Sequence, residues 1–273
     1  MKLSLITAAI CLGLVGAAGA AEPNTNQPAP PTILFLGDSI TAAGGYVRII
    51  GAELARKNPA APPRVINKGR GSETVSDLSE AYHPGRRPCL FARLDAEMAQ
   101  VKPAWVVACY GINDGIYHPF SEKRLAAYQA GVEKLITKVN ASGARLILLT
   151  APPYAKPGPA FPEGTDAAAR EKLLAKANAE AEAEAEKDPN KFGYRTPYAY
   201  YDEVMARHAK WLLSLNEAKD KNVTVIDLRT PMLAKLTETH GRDPIHPNGV
   251  GHAIMAEAFL KQWPAISAQA KGK

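Results

Sequence analysis

Apolar positions along the chain fall into two rhythms. Five short stretches carry contiguous apolar residues: Thr32 to Leu36, Arg64 to Asn67, Trp105 to Cys109, Arg145 to Thr150 and Val223 to Asp227. Runs of that length without polar alternation predict strands buried on both faces. Between them, apolar residues recur every three or four positions, which predicts helices over Tyr46–Arg56, Leu90–Val101, Glu122–Val139 and Gly249–Trp263. Pro59, Pro103 and Gly143 stand at the ends of the first three, where a missing N–H or a left-handed residue stops a helix. This alternation predicts an α/β fold, a parallel sheet with helices on both faces joined by right-handed crossovers.

One stretch breaks the rhythm. The fourth and fifth strands are separated by roughly seventy residues, far more than a single crossover needs. Residues of about 155–220 therefore read as a helical insertion, with a helix over Asp166–Lys187 whose Glu180, Glu182, Glu184 and Glu186 face solvent, and another over Asp202–Leu215. Tyr194, Tyr198, Tyr200 and Tyr201 lie between the two. They either line a carbohydrate cleft or pack the insertion onto the domain, since tyrosine offers an apolar face and a polar tip.

The N-terminus reads as an address. Lys2 precedes an apolar run from Leu3 to Val15, followed by Gly16-Ala17-Ala18-Gly19-Ala20. That order predicts a signal peptide over residues 1–20, with cleavage after Ala20 and a periplasmic or extracellular destination. The run is too short to span a bilayer, and Ile10 before Cys11 argues against a lipid anchor, so no stable membrane insertion is expected. Residues 21–31 form a Pro/Asn-rich linker and 32–270 the domain.

Composition narrows the class further. The 273 residues are 46% hydrophobic and 22% charged, an ordinary globular balance. Lys+Arg 33 against Asp+Glu 27 gives +6, but the charges are interleaved, so nucleic acid is not an expected partner. Cys89 and Cys109 are too few for a disulfide scaffold; they are two thiols or one bridge, with Cys109 pointing into packed protein at a strand end. No C-x-x-C or H-E-x-x-H spacing points to a metal.

Ligands of doubly wound sheets bind beyond the carboxyl ends of the strands. Strand one runs into Gly37-Asp38-Ser39-Ile40-Thr41, strand three into Gly111-Ile112-Asn113-Asp114, and the final helix is preceded by Asp243-Pro244-Ile245-His246-Pro247. A serine, a base with an acid to orient it, and an amide donor are the parts that acyl transfer requires. Each block alone is weak; their joint occurrence, in order and at predicted strand ends, is the signal. Asp38 and Asp114, beside the key residues, read as turn braces. His252 falls on the last helix, His208 on the insertion helix and His240 in a polar loop. No glycine-rich phosphate loop follows strand one, which argues against a flavodoxin-like cofactor binder.

From Thr32 to about Trp263 these blocks resemble an SGNH hydrolase of the GDSL esterase/lipase superfamily. The resemblance implies a flavodoxin-like three-layer α/β/α sandwich with a five-stranded parallel sheet. It implies Ser39 as nucleophile, Asp243 and His246 as its triad partners, and an oxyanion hole made by the Ser39 and second-block N–H groups with the Asn113 amide. It implies no metal or organic cofactor. The second block departs from the family's N-x-G-x-x-G-x-T: Asn67, Gly69 and Thr74 match, but Ser72 stands at the glycine position, with Gly71 one residue early. Either backbone could be the donor.

Arg70, Gly71, His83 and His118, with Arg86 and Arg87, are candidates for a basic rim over the substrate. The implied activity is hydrolysis of a short-chain ester, acetyl on carbohydrate first. A lipase, thioesterase or lysophospholipase-like activity, or a silent sugar-binding module on the same fold, are the alternatives.

Overall fold

Five strands pair in parallel in the order β2-β1-β3-β4-β5: β1 Thr32–Gly37, β2 Arg64–Asn67, β3 Trp105–Cys109, β4 Arg145–Leu149 and β5 Val223–Ile226. The computed structural model describes residues 30–81, 83–218 and 222–268. The expected signal peptide, and all but the last two residues of the linker, lie outside the described residues. Registers run Ile33↔Val65, Ile33↔Trp105, Trp105↔Arg145 and Leu146↔Val223.

Because successive strand residues point to opposite faces, the core divides in two. Ile33, Phe35, Val107 and Ile147 meet α2 (Gly45–Lys57) and α9 (Gly249–Ala268) through Tyr46, Ile50, Met255 and Phe259. Leu34, Leu36, Val106, Leu146 and Leu148 meet α3 (Leu94–Val101) and α4 (Glu122–Ala141) through Leu94, Leu135 and Val139. The result is three layers, as the alternation predicts. Burial of a side chain such as Phe259, which is 0% exposed, contributes about 2–3 kcal/mol.

Two helix boundaries differ from expectation. The Leu90–Val101 helix is instead a 3-10 turn over Leu90–Ala92 followed by α3, because Arg93 (φ −132°) leaves helical geometry. Its guanidinium reaches Glu73 and the carbonyl of Lys68, a tertiary pull that periodicity cannot register. α9 continues past Trp263 through Pro264 to Ala268, since burial of Ile266 offsets the hydrogen bond that proline removes.

Between β4 and β5 lie α5 (Ala167–Lys187) and α6 (Tyr201–Ser214). α5 buries no residue; Asp166 caps it by accepting from Ala169 N–H at 2.7 Å. Glu180, Glu184 and Glu186 are exposed, but Glu182 turns to Arg124, and Asn178 exchanges hydrogen bonds with both backbone groups of Phe120. α6 sends Val204 and Met205 into one core layer and Leu212 into the other. Tyr198 and Tyr201 pack this segment onto the domain: both are buried, and Tyr201 stacks on Tyr117 with centroids 4.8 Å apart. Cys89 and Cys109 are both free thiols.

Short helices α1 (Ser39–Ala42), α7 (Arg229–Leu233) and α8 (Leu236–Thr239) complete the fold. Among the described residues no helix is long and apolar enough to cross a membrane.

Candidate active site

β1 and β3 are sheet neighbours, although β2 intervenes in sequence, so the chain leaves the sheet in opposite directions beyond them and opens a crevice. Gly37 ends β1 with φ 159°. A Cβ there would lie 2.1 Å from Thr41 Oγ1 and 2.8 Å from the Cys109 carbonyl, so only glycine permits the turn that follows. Asp38 then caps α1 by accepting from Ile40 N–H at 2.9 Å, the brace the sequence suggests. This places Ser39, half-buried, at the crevice floor.

Ser39 Oγ lies 2.8 Å from His246 Nε2, and His246 Nδ1 lies 2.7 Å from Asp243 Oδ2. A carboxylate only accepts, so Nδ1 carries the ring proton and Nε2 offers a lone pair to the Ser39 hydroxyl. Asp243 Oδ1 also accepts from the N–H groups of Ile245 (2.8 Å) and His246 (3.2 Å), which sets carboxylate and imidazole in register. Burial pushes the Asp243 carboxyl up, but the Ile245 N–H and the bonds from His246 outweigh it and hold the group below its ordinary value. The loop is tied at Pro244, whose carbonyl accepts from Ala155 N–H at 2.8 Å, and by a bridge between His240 and Pro247.

Asn113 follows β3. The Tyr117 hydroxyl donates to its Oδ1 at 3.2 Å, and Nδ2 donates weakly to the Glu73 carbonyl at 3.4 Å. Fully buried Asp114 accepts from Val75 N–H (2.9 Å) and Ser76 N–H (2.8 Å), stitching this loop to the one after β2. In that second loop, Glu73 N–H donates to Arg70 O at 3.3 Å and closes a turn in which Ser72 has φ 62°. Glycine is usual at such a place, because a side chain in the left-handed region costs about 1 kcal/mol or more. Gly71 has open space where a Cβ would stand. The backbone N–H groups of Ser39 and Ser72 have no hydrogen-bond partner among the described residues.

Ser39, Ser72, Asn113 and His246 line one cavity of about 470 Å³, with Gly71, His83, Arg87 and Tyr194 around them. Three buried carboxyls lie beside the polar groups. Burial pushes Asp38 up to about 7, against the Ile40 N–H and with help from Asp114 and Glu73. Glu73 is held by Arg93 (2.7 and 2.5 Å) and the Tyr110 hydroxyl (2.6 Å).

The expected basic rim is only partly present. His83 lines the cavity. Arg87 does too, but it is buried in a bidentate pair with Glu80 (2.5 and 2.6 Å) rather than a surface cation. Arg70 is exposed and off the cavity wall, and Arg86 pairs with exposed Asp77 at 2.9 Å. His118 must be withdrawn as a substrate contact: it is 6% exposed, packs edge-on to Phe192, and burial lowers its pKa to about 4. Positive φ values at Ile116 and Tyr117 turn the chain and carry the His118 ring inward. His240 sits where α8 gives way to the polar loop, but its side chain is buried, with Nδ1 3.0 Å from Thr239 Oγ1. Sequence reasoning passed over Tyr117 and Glu80. Tyr117 had a local signal in its position one helical turn beyond Asn113; Glu80 had none.

Comparison with known proteins places the chain in a family. Residues 33–259 match the GDSL-like lipase/acylhydrolase family. An acetylxylan esterase from Geobacillus stearothermophilus is 26% identical over 251 residues, covering 84% of this chain and 92% of the relative. A crystal structure of an acetylxylan esterase from the same organism superposes with a TM-score of 0.53 at 24% identity, over 86% of this chain and 94% of that one. An α/β hydrolase from the metagenome of Lake Arreo, Spain, gives 0.52 at 23%, over 85% and 94%. The five-stranded parallel sheet and the match over most of the chain lead to one conclusion: this chain belongs to the GDSL-like lipase/acylhydrolase family and is a hydrolase of ester bonds.

Proposed function

We propose that the protein is an exported serine esterase that removes short acyl groups, acetyl first, from carbohydrate hydroxyls. The observation that carries this reading is the unbroken chain from Ser39 Oγ through His246 to Asp243, opening into a cavity with spare amide donors.

His246 Nε2 takes the Ser39 proton as Oγ attacks the ester carbonyl. The oxyanion that forms is met by the N–H groups of Ser39 and Ser72 and by the Asn113 amide, already oriented before reaction. Asp243 stabilises the imidazolium. His246 then protonates the departing alkoxide, which leaves an acyl-Ser39 ester. Water, deprotonated by the same nitrogen, attacks that ester, and collapse returns the proton to Ser39 and frees the acid.

Three things support the acetyl-carbohydrate substrate: the relative's named activity, the modest cavity, and the polar and aromatic wall of His83, Arg87 and Tyr194. Export rests on the leader-like residues 1–20.

The test is hydrolysis of p-nitrophenyl esters from acetate to decanoate, and acetate release from acetylated xylo-oligosaccharides, by wild type and Ser39→Ala. Serine-dependent turnover that falls steeply beyond acetate, with acetate released from the oligosaccharide, is expected. Rates rising with chain length would move the assignment to lipids. Wild-type turnover unchanged by Ser39→Ala would overturn the mechanism.

A further inference from the structure

Ser72 raises a question that the proposed reaction leaves open: how a residue with a side chain is held in a conformation suited to glycine. Its φ of 62° falls at the third place of the Arg70–Glu73 turn, in the left-handed region.

Two contacts bear on Ser72 from one loop. Its Oγ lies 3.2 Å from His83 Nε2, while His83 Nδ1 lies 2.8 Å from the Gly85 carbonyl. A carbonyl only accepts, so Nδ1 carries the proton, Nε2 presents a lone pair, and the Ser72 hydroxyl is the donor. The His83 ring is fixed from outside by Tyr194, packed edge-on with centroids 5.7 Å apart. On the other side, Arg87 Nη1 reaches the Ser72 carbonyl at 3.4 Å, with Arg87 immobilised by Glu80.

We propose that His83 is a positioning residue for the oxyanion hole. By accepting the Ser72 hydroxyl hydrogen bond, it holds Ser72 in the left-handed conformation that aims the Ser72 backbone N–H into the cavity. It thereby does through a side-chain contact what glycine does by lacking a side chain. The inference rests on the reading of the Ser72 N–H as an oxyanion donor. His83 touches no reacting atom in this account. Releasing it lets Ser72 relax toward negative φ and swings the N–H away. Because the oxyanion exists only in the transition state, the loss falls on kcat rather than KM.

A double-mutant cycle tests the coupling: wild type, His83→Ala, Ser72→Gly and the double variant, with kcat and KM on p-nitrophenyl acetate and Ser39→Ala as the blank. His83→Ala is expected to lower kcat about tenfold when Ser72 is present and far less when Ser72→Gly is, with KM moving little. His83→Gln, whose amide oxygen accepts the Ser72 proton, restores part of the loss. Should His83→Ala not fold, His83→Phe keeps the ring against Tyr194, cannot accept the bond, and reads the same coupling.

Equal factors in both backgrounds, or a loss confined to KM, would overturn the proposal and make His83 a direct substrate contact. Absence of Ser39-dependent turnover in the wild type would instead remove the esterase mechanism itself, so the two failures are distinct.

Discussion

The Tyr117 hydroxyl donates to Asn113 Oδ1 across 3.2 Å, and that bond decides which end of the amide faces the cavity. With its oxygen engaged, the amide is left with its NH₂ group as donor, bonded only weakly to the Glu73 carbonyl at 3.4 Å. Burial, against the opposing Arg87 guanidinium and with help from Asp38 and Glu80, keeps the Tyr117 phenol protonated far above the ordinary range, so the donor is present at any working pH. Asn113→Ala should lower kcat by roughly 10²–10³ with little change in KM. Tyr117→Phe leaves the amide in place but free to turn, and should cost about tenfold. Steady-state kinetics on p-nitrophenyl acetate separate the two; an unaffected Tyr117→Phe would show that the amide needs no such anchor.

Asp243→Asn tests the other end of the cavity. The asparagine NH₂ can donate to Nδ1, which favours the tautomer with its proton on Nε2 and removes the base for Ser39. Asp243 is half-exposed, with 53% of its side chain accessible, so water can partly replace it. A fall in kcat of about 10²–10⁴ is expected, with unfolding by urea little changed.

Acid stability should depend on two groups with opposite signs. His208 is 3% exposed, stacks on Tyr128 with centroids 4.6 Å apart, and burial lowers its pKa to about 4. A histidine lowered in the fold contributes stability that is complete above its unfolded value near 6.5. That stability is lost as pH falls toward 4, by of order 3 kcal/mol. Asp38, raised to about 7, acts the other way: the fold holds its proton more tightly than the unfolded chain, so lowering pH from 7 to 4 favours the fold. Urea unfolding between pH 7.5 and 4.5 should therefore show a shallower acid loss in His208→Phe and a steeper one in Asp38→Asn.

Gly37→Ala should be severe. The new Cβ would sit 2.7 Å from Thr41 Cβ and 2.8 Å from the backbone carbonyl of Cys109, neither of which can step aside. A loss of about 3–5 kcal/mol is expected from the urea midpoint, against under 1 kcal/mol for Gly71→Ala, whose Cβ meets nothing.

Much of the fold was legible because strand and helix periods are local. β2 and β3 begin and end at the residues the sequence predicts. What failed was decided at a distance: Arg93 breaks a helix to reach Glu73, and Ile266 draws α9 past a proline. For the site, the D-x-x-H spacing and the strand-end serine announced residues that the fold brings within hydrogen-bond distance. His118 went astray because a histidine before proline says nothing of which way its loop turns. Arg87 was read as part of a basic rim, and its burial against Glu80 was missed, because that partner lies seven residues away in a loop with no periodicity.

The stitching by Asp114 has a consequence for how specificity can change. Asp114 binds the Val75 and Ser76 amides and Asn113 reaches Glu73, so the loop after β3 is tied at three points to the loop after β2. A substitution that shifts one donor shifts the others with it, and gradual adjustment of that wall is closed to drift. New ester preferences should therefore be acquired through the Ile245 side chain, which borders the same cavity from a segment outside those two loops, rather than through Tyr194, which packs on His83. Libraries aimed there would sample altered substrates while leaving the reaction's electrostatics intact.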